Sequence, residues 1–151
     1  MSELRIRAAV GADVDAVLAF WAVAAEGTSV SDDPAGVATL IARDPEALLL
    51  AESVGVDAAA EAGAAAEIVG TVIVGFDGWR CHLYRLAVSP AHRRRGVASL
   101  LLTAAEERFK TLGGRRADAM VLDHNTLAHH AWSAAGYHRE DEWSRWVKPL
   151  G

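Results

Sequence analysis

The stretch VSPAHRRRGVASLL, from Val88 to Leu101, carries the densest chemistry in this sequence. His92, Arg93, Arg94 and Arg95 run straight into Gly96, and an apolar run of helical period follows. A strand ending at Val88, a turn through Ser89-Pro90 and a helix opening near Gly96 together build an anion site. The first N–H groups of a helix have no internal partners, and the helix dipole adds positive potential at that end. Gly96 lets a ligand approach the backbone, with Ala98 the next smallest residue. Three arginines supply charge for phosphate oxygens. The plain alternative is a solvated basic loop whose glycine serves only the turn. The usual nucleotide signatures do not fit: there is no GxxxxGK(S/T), and no GxGxxG follows a strand.

Other groupings are weaker. His129 and His130 are adjacent on a helix and point apart, which makes a poor metal pair. Cys81-His82 with those histidines matches no standard zinc spacing, so no metal is expected. Cys81 as an acyl-carrying nucleophile competes with the commoner role of a buried structural thiol. Asp123-His124 follows a strand and is a secondary candidate.

The elements that must position these groups follow from period and punctuation. Leu4–Ala8 alternates as a first strand, and Asp13 could cap a helix bearing Val14, Val17, Leu18, Trp21 and Ala25. A loop over 27–33 leads to Pro34, which suits the first turn of a helix ending near Arg43. Strands are predicted over Ala47–Glu52, Ile68–Phe76 and Arg80–Val88, with Asp77-Gly78 turning the last two into a hairpin. The Ala-rich segment 56–66 reads as an extended hairpin connection. From Gly96, a helical stripe of Val97, Leu100, Leu101, Ala104, Ala105, Phe109 and Leu112 stops at Gly113. Glu106 and Lys110 sit at i,i+4 on its outer side. A strand over Ala117–Leu122, a helix over Asn125–Ala135 and a final strand over Tyr137–Val147 complete a single mixed α/β domain, 1–151.

Composition narrows the function classes. The 151 residues are 52% hydrophobic and 23% charged, as in a globular chain with a real core. A net charge of −5 argues against nucleic acid as a partner and confines the arginine cluster to one compact anion. Cys81 is the only cysteine, which fits a reducing compartment. The charged start MSELRIR lacks a signal-peptide core, and no apolar run approaches the ~20 residues of a membrane span. A cytoplasmic protein without membrane contact is the expectation.

Arg93-Arg94-Arg95-Gly96-Val97-Ala98 resembles the R/Q-x-x-G-x-G/A motif of the GNAT N-acetyltransferase superfamily. Leu86-Ala87-Val88-Ser89-Pro90 is similar to the strand and turn that precede it in that family. Asn125, Ala128, Gly136 and Tyr137 resemble its later helix-to-strand signature. The resemblance implies a central, mostly antiparallel sheet flanked by about four helices, split between the fourth and fifth strands to hold CoA. It implies transfer of an acetyl group from acetyl-CoA to an amine.

By that resemblance, Leu86, Ala87 and Val88 would bind the pantetheine arm as an added strand, and an N–H at or near Val88 would polarise the thioester. The amides of Arg94, Arg95, Gly96, Val97, Ala98 and Ser99 would cradle the pyrophosphate, with Arg93 adding charge. Asn125 would contact pantetheine or cap its helix. Many relatives place an acidic tyrosine where this chain has Trp132, here a packing or pantetheine residue. Tyr137, Tyr84 and His124 are the remaining candidates for protonating the sulfur. His82 stands about where some relatives carry a basic glutamate, on the same strand face as Tyr84, Leu86 and Val88. The acceptor, a small-molecule, peptide or protein amine, would meet Glu26, Asp32, Asp33, Glu140, Asp141 and Glu142 among Trp21, Trp79, Trp143 and Trp146. Exposed C-terminal strands could pair two chains as a homodimer. Absence of the usual tyrosine keeps open an acyl-CoA-binding domain with weak or lost transfer.

Overall fold

The computed structural model describes residues 2–27, 29–55 and 66–151, so the conformation expected for 56–65 lies outside the described residues. Among the described residues the aliphatic runs form β1 (Ser2–Ala8), β2 (Leu48–Gly55), β3 (Glu67–Phe76), β4 (Cys81–Val88) and β5 (Ala117–Ala119). The segments of helical period form α1 (Val14–Ala24), α2 (Pro34–Arg43), α3 (Val97–Thr111) and α4 (Thr126–Ala134). The strands lie in the order β1-β2-β3-β4-β5, antiparallel as far as β4, with β5 parallel to β4.

Helices cover both faces of this sheet. α1 and α2 set Val17, Phe20, Trp21 and Val37 over Leu48 and Leu50. α3 sets Val97, Leu101, Leu102, Ala105 and Phe109 on the opposite face, where Trp132 of α4 joins them. β3 is buried without a break from Val69 to Val72, as a strand covered on both sides should be. Gly70 allows α3 to lie close: a Cβ there would stand 2.6 Å from Val97 Cγ1 and 2.9 Å from Leu101 Cδ1. This contact fixes the start of α3 beside the end of β4.

Several expectations need correction. The stripe of α3 includes Leu102, while Leu100 and Leu112 are partly exposed. Asp13 makes no side-chain cap; its carboxylate is taken by Arg7 (2.8 and 2.9 Å) and the Val10 N–H (2.7 Å). Lys110 pairs with Glu107 and not with Glu106. β5 ends at Ala119, three residues short of Leu122, because its pairing with β4 stops there. The predicted strand over Tyr137–Val147 is absent among the described residues, leaving Trp143, Trp146, Val147 and Leu150 exposed. A strand needs a partner edge to satisfy its backbone, and β5 offers only three residues. The charged run His138–Glu142 is instead held locally, Arg139 bonding Asp123 (2.9 Å) and Asp141 (2.6 Å).

Candidate functional site

β4 organises the site. On one side it pairs with β5 only through Cys81↔Ala117, His82↔Asp118 and Leu83↔Ala119. Beyond Leu83 the two strands separate, and the β5-side edge of Tyr84–Val88 has no strand partner among the described residues. Open N–H and C=O groups along such an edge can bind an extended ligand as one more strand.

On its other side β4 bulges. Tyr84 pairs with Ile73 and Ala87 with Thr71, so Arg85 and Leu86 oppose the single residue Val72. Arg85 sits at φ 51°, in the left-handed region. One extra residue reverses the side that each later residue faces. Cys81 and Leu83 pack towards α3, and after the bulge Leu86 and Val88 do so too, while Ala87 joins the core under α1 and α2. His82 and Tyr84 thus do not share a face with Leu86 and Val88. They look towards the α1–α2 side, and unbroken alternation misplaces them.

Buried hydrogen bonds hold the bulge in place. Trp21 Nε1 donates to Thr71 Oγ1 (2.9 Å), and that hydroxyl donates to the Arg85 carbonyl (2.8 Å). The Arg85 guanidinium pairs with Asp32 and donates to the carbonyls of Glu26 (3.2 Å) and Gly27 (3.3 Å). It lies 5.6 Å from the centre of the Trp21 ring. The loop between α1 and α2 is thereby fastened to the strand that borders the split. Of the residues expected around an acceptor, Trp21 is core, Asp32 is bound to Arg85, and Asp33 caps α2 through the Gly36 N–H (2.7 Å). Trp79, Trp143 and Trp146 are exposed.

The basic turn follows β4 through a 3-10 turn, Pro90–His92. Arg94 (φ 64°) and Gly96 (φ 81°) both take the left-handed conformation. Gly96 is the N-cap of α3 and no side chain caps that helix among the described residues, so its leading amides have no side-chain partner there. Arg93, Arg94 and Arg95 are exposed, and none forms an ion pair among the described residues. His92 Nδ1 is buried without a hydrogen-bond partner among the described residues. Uncapped amides, three uncommitted guanidiniums and an open strand edge fit a phosphate-bearing ligand with an extended arm.

The other candidates are dispersed. Asn125 caps α4, accepting from the Ala128 N–H (3.1 Å). Trp132 is 8% exposed, in the core beside α3 and edge-on to Tyr137 at 5.0 Å between ring centres. The Tyr137 hydroxyl donates to Glu106 Oε2 (2.8 Å). Burial first, and then Glu106, raise its pKa well above that of a free phenol, so its proton is held tightly. His124 is exposed in the turn before α4. Tyr84 is 47% exposed with its pKa raised by burial, then by Asp118 and Asp77, with Arg145 opposing. Its ring centre lies 6.0 Å from that of His82. His82 Nδ1 lies 2.6 Å from Asp118 Oδ1. Asp118, Thr71 and Arg85 escape the sequence reading because only strand register brings them to the site.

No helix among the described residues is long and apolar enough to cross a membrane, and no group of three or more metal-ligating side chains occurs among them. The family model for the acetyltransferase (GNAT) family matches residues 15–137. The acetyltransferase SG1711 of Sodalis glossinidius is 30% identical over 98 residues, 65% of this chain and 61% of that protein. The match thus spans about three-fifths of that relative's length. In fold, the chain is similar to the aminoglycoside 6′-N-acetyltransferase AAC(6′)-Ig of Acinetobacter haemolyticus, with TM-score 0.68 and 17% identity over 97% of this chain and 99% of that one. It is similar also to the PaiA N-acetyltransferase of Thermoplasma acidophilum in complex with coenzyme A, with TM-score 0.71 and 16% identity over 92% of each chain.

Proposed function

This chain belongs to the acetyltransferase (GNAT) family, and we propose that it moves an acetyl group from acetyl-CoA to a primary amine by direct attack in a ternary complex. The observation that carries the reading is the open edge of β4 leading into an uncapped helix N-terminus flanked by three uncommitted arginines. When bound, acetyl-CoA supplies a thioester carbonyl that an amine nitrogen attacks, C–N forming and C–S breaking to release the thiol.

The chain's own residues have four tasks in that reaction. The amides from Arg94 to Ser99, with the guanidiniums of Arg93, Arg94 and Arg95, bind the pyrophosphate. Leu86, Ala87 and Val88 hold the pantetheine along the split, and an N–H at or near Val88 is aimed where negative charge develops. Asn125 borders the pantetheine while capping α4, and Trp132 supports it by packing. His82, on the α1–α2 side where the acceptor enters, receives the ammonium proton through water. Protonation of the sulfur needs little help, since a thiol of pKa ~8.5 leaves tolerably as thiolate; His124 and water are the donors we favour over Tyr137, whose proton is committed to Glu106.

The acceptor is a small-molecule, peptide or protein amine, and a reducing cytoplasm supplying acetyl-CoA is its setting. Incubating the chain with acetyl-CoA and a panel of amines should release free thiol. Tight CoA binding with no release for any amine would instead make the chain an acyl-CoA-binding domain.

A further inference from the structure

His82 and Asp118 form the second of three register pairs between β4 and β5, one residue before the strands part. Their side chains meet across that junction, Nδ1 to Oδ1 at 2.6 Å. Both are part-buried, with side chains 30% and 47% exposed. An ionised carboxylate only accepts, so the imidazole nitrogen facing it carries the proton. A neutral ring with Nδ1–H has its lone pair on Nε2, and Nε2 has no hydrogen-bond partner among the described residues.

We propose that Asp118 is a positioning residue for proton uptake: it fixes the ring of His82 and its tautomer, so that Nε2 stands bare at the closed end of the split. This rests on the reading of His82 as the group that receives the amine's proton. The proton passes from the ammonium through water to Nε2, the ring becomes an imidazolium donating to Asp118, and the freed nitrogen pair attacks the acyl carbon. The carboxylate stabilises the charge the ring acquires without itself being protonated. The other ionisable groups around His82 do not compete for the task. Asp77, on the β3–β4 turn, is occupied by the N–H groups of Trp79 (2.8 Å) and Arg80 (2.6 Å). Tyr84, on the same strand, is kept neutral by burial and by Asp118, and the Arg145 charge acts on it from the C-terminal segment.

A tie between strands that merely braces the sheet would change melting temperature and leave the tautomer without consequence for turnover. Long-range proton–nitrogen spectra of neutral His82 should show Nδ1–H in the wild type and in Asp118→Glu, and Nε2–H in Asp118→Ala. With acetyl-CoA and an accepted amine, Asp118→Ala should lose about 10- to 100-fold in kcat, with KM for acetyl-CoA unchanged, and Asp118→Glu should recover part of it. An Nε2–H wild type overturns the proposal, as does an Asp118→Ala chain whose kcat stays within twofold of wild type. The spectra do not depend on turnover. A chain that releases no thiol with any amine yet shows the Nδ1–H tautomer, lost in Asp118→Ala, defeats the transfer reading and the proton uptake with it, and leaves Asp118 only as the group that fixes the ring. Full turnover with an Nε2–H wild type defeats the positioning alone.

Discussion

At the residue scale, the basic turn separates binding from stability. Arg94 and Arg95 are exposed and touch no carboxylate in the described structure, so folding gains little from them. Charge-assisted bonds to a diphosphate are shorter and stronger than neutral ones. Replacing both with alanine should weaken CoA binding by about tenfold or more, from roughly 1.5–3 kcal/mol per charged hydrogen bond discounted for solvent. Melting temperature should hardly move. Titration calorimetry and thermal unfolding on the same samples check both halves, and unchanged affinity would remove the pyrophosphate assignment. The run of arginines before Gly96 was legible in the sequence because its chemistry is local: helix amides, a small residue and neighbouring charge need no distant partner.

Elements show where that locality ends. Tyr137, just beyond α4, reaches Glu106 in the middle of α3, and its ring stacks edge-on against Trp132. Spacing along α3 pairs Glu106 with Lys110, but Glu106 is claimed by a residue 31 positions away. Because burial and Glu106 raise the phenol's pKa, the folded chain keeps a proton that the unfolded chain gives up above pH ~10. The stability linked to Tyr137 is therefore whole below that pH and declines as pH rises towards the raised folded value. Tyr137→Phe should cost roughly 1 kcal/mol near neutrality and show a shallower loss of stability between pH 10 and 12 in denaturant titrations. Turnover should be kept, since this hydroxyl is not the proton donor we favour. The bulge at Arg85 makes the same point for a strand. Alternation assigns His82, Tyr84, Leu86 and Val88 to one face, and a single extra residue opposite Val72 divides them.

For the whole molecule, the outer edge of β5 has no strand partner among the described residues, and apolar groups of the C-terminal segment are exposed. Trp146 is 92% and Leu150 96% exposed. We expect two chains to pair there, so that sedimentation equilibrium gives twice 16.0 kDa at high concentration and a chain ending at Arg139 stays monomeric. A full-length monomer at every concentration rejects the pairing. By itself the sequence determined the mixed α/β frame, most element positions, the hairpin at Asp77-Gly78 and the basic turn that opens α3 at Gly96, since each follows from period, turn chemistry or adjacent charge. Tertiary structure alone decided that β4 and β5 part after Leu83, that Arg85 bulges, that Trp132 is core and that Asp118 meets His82. Those facts depend on register between strands distant in sequence, and a shift of one residue there turns every later side chain to the other face.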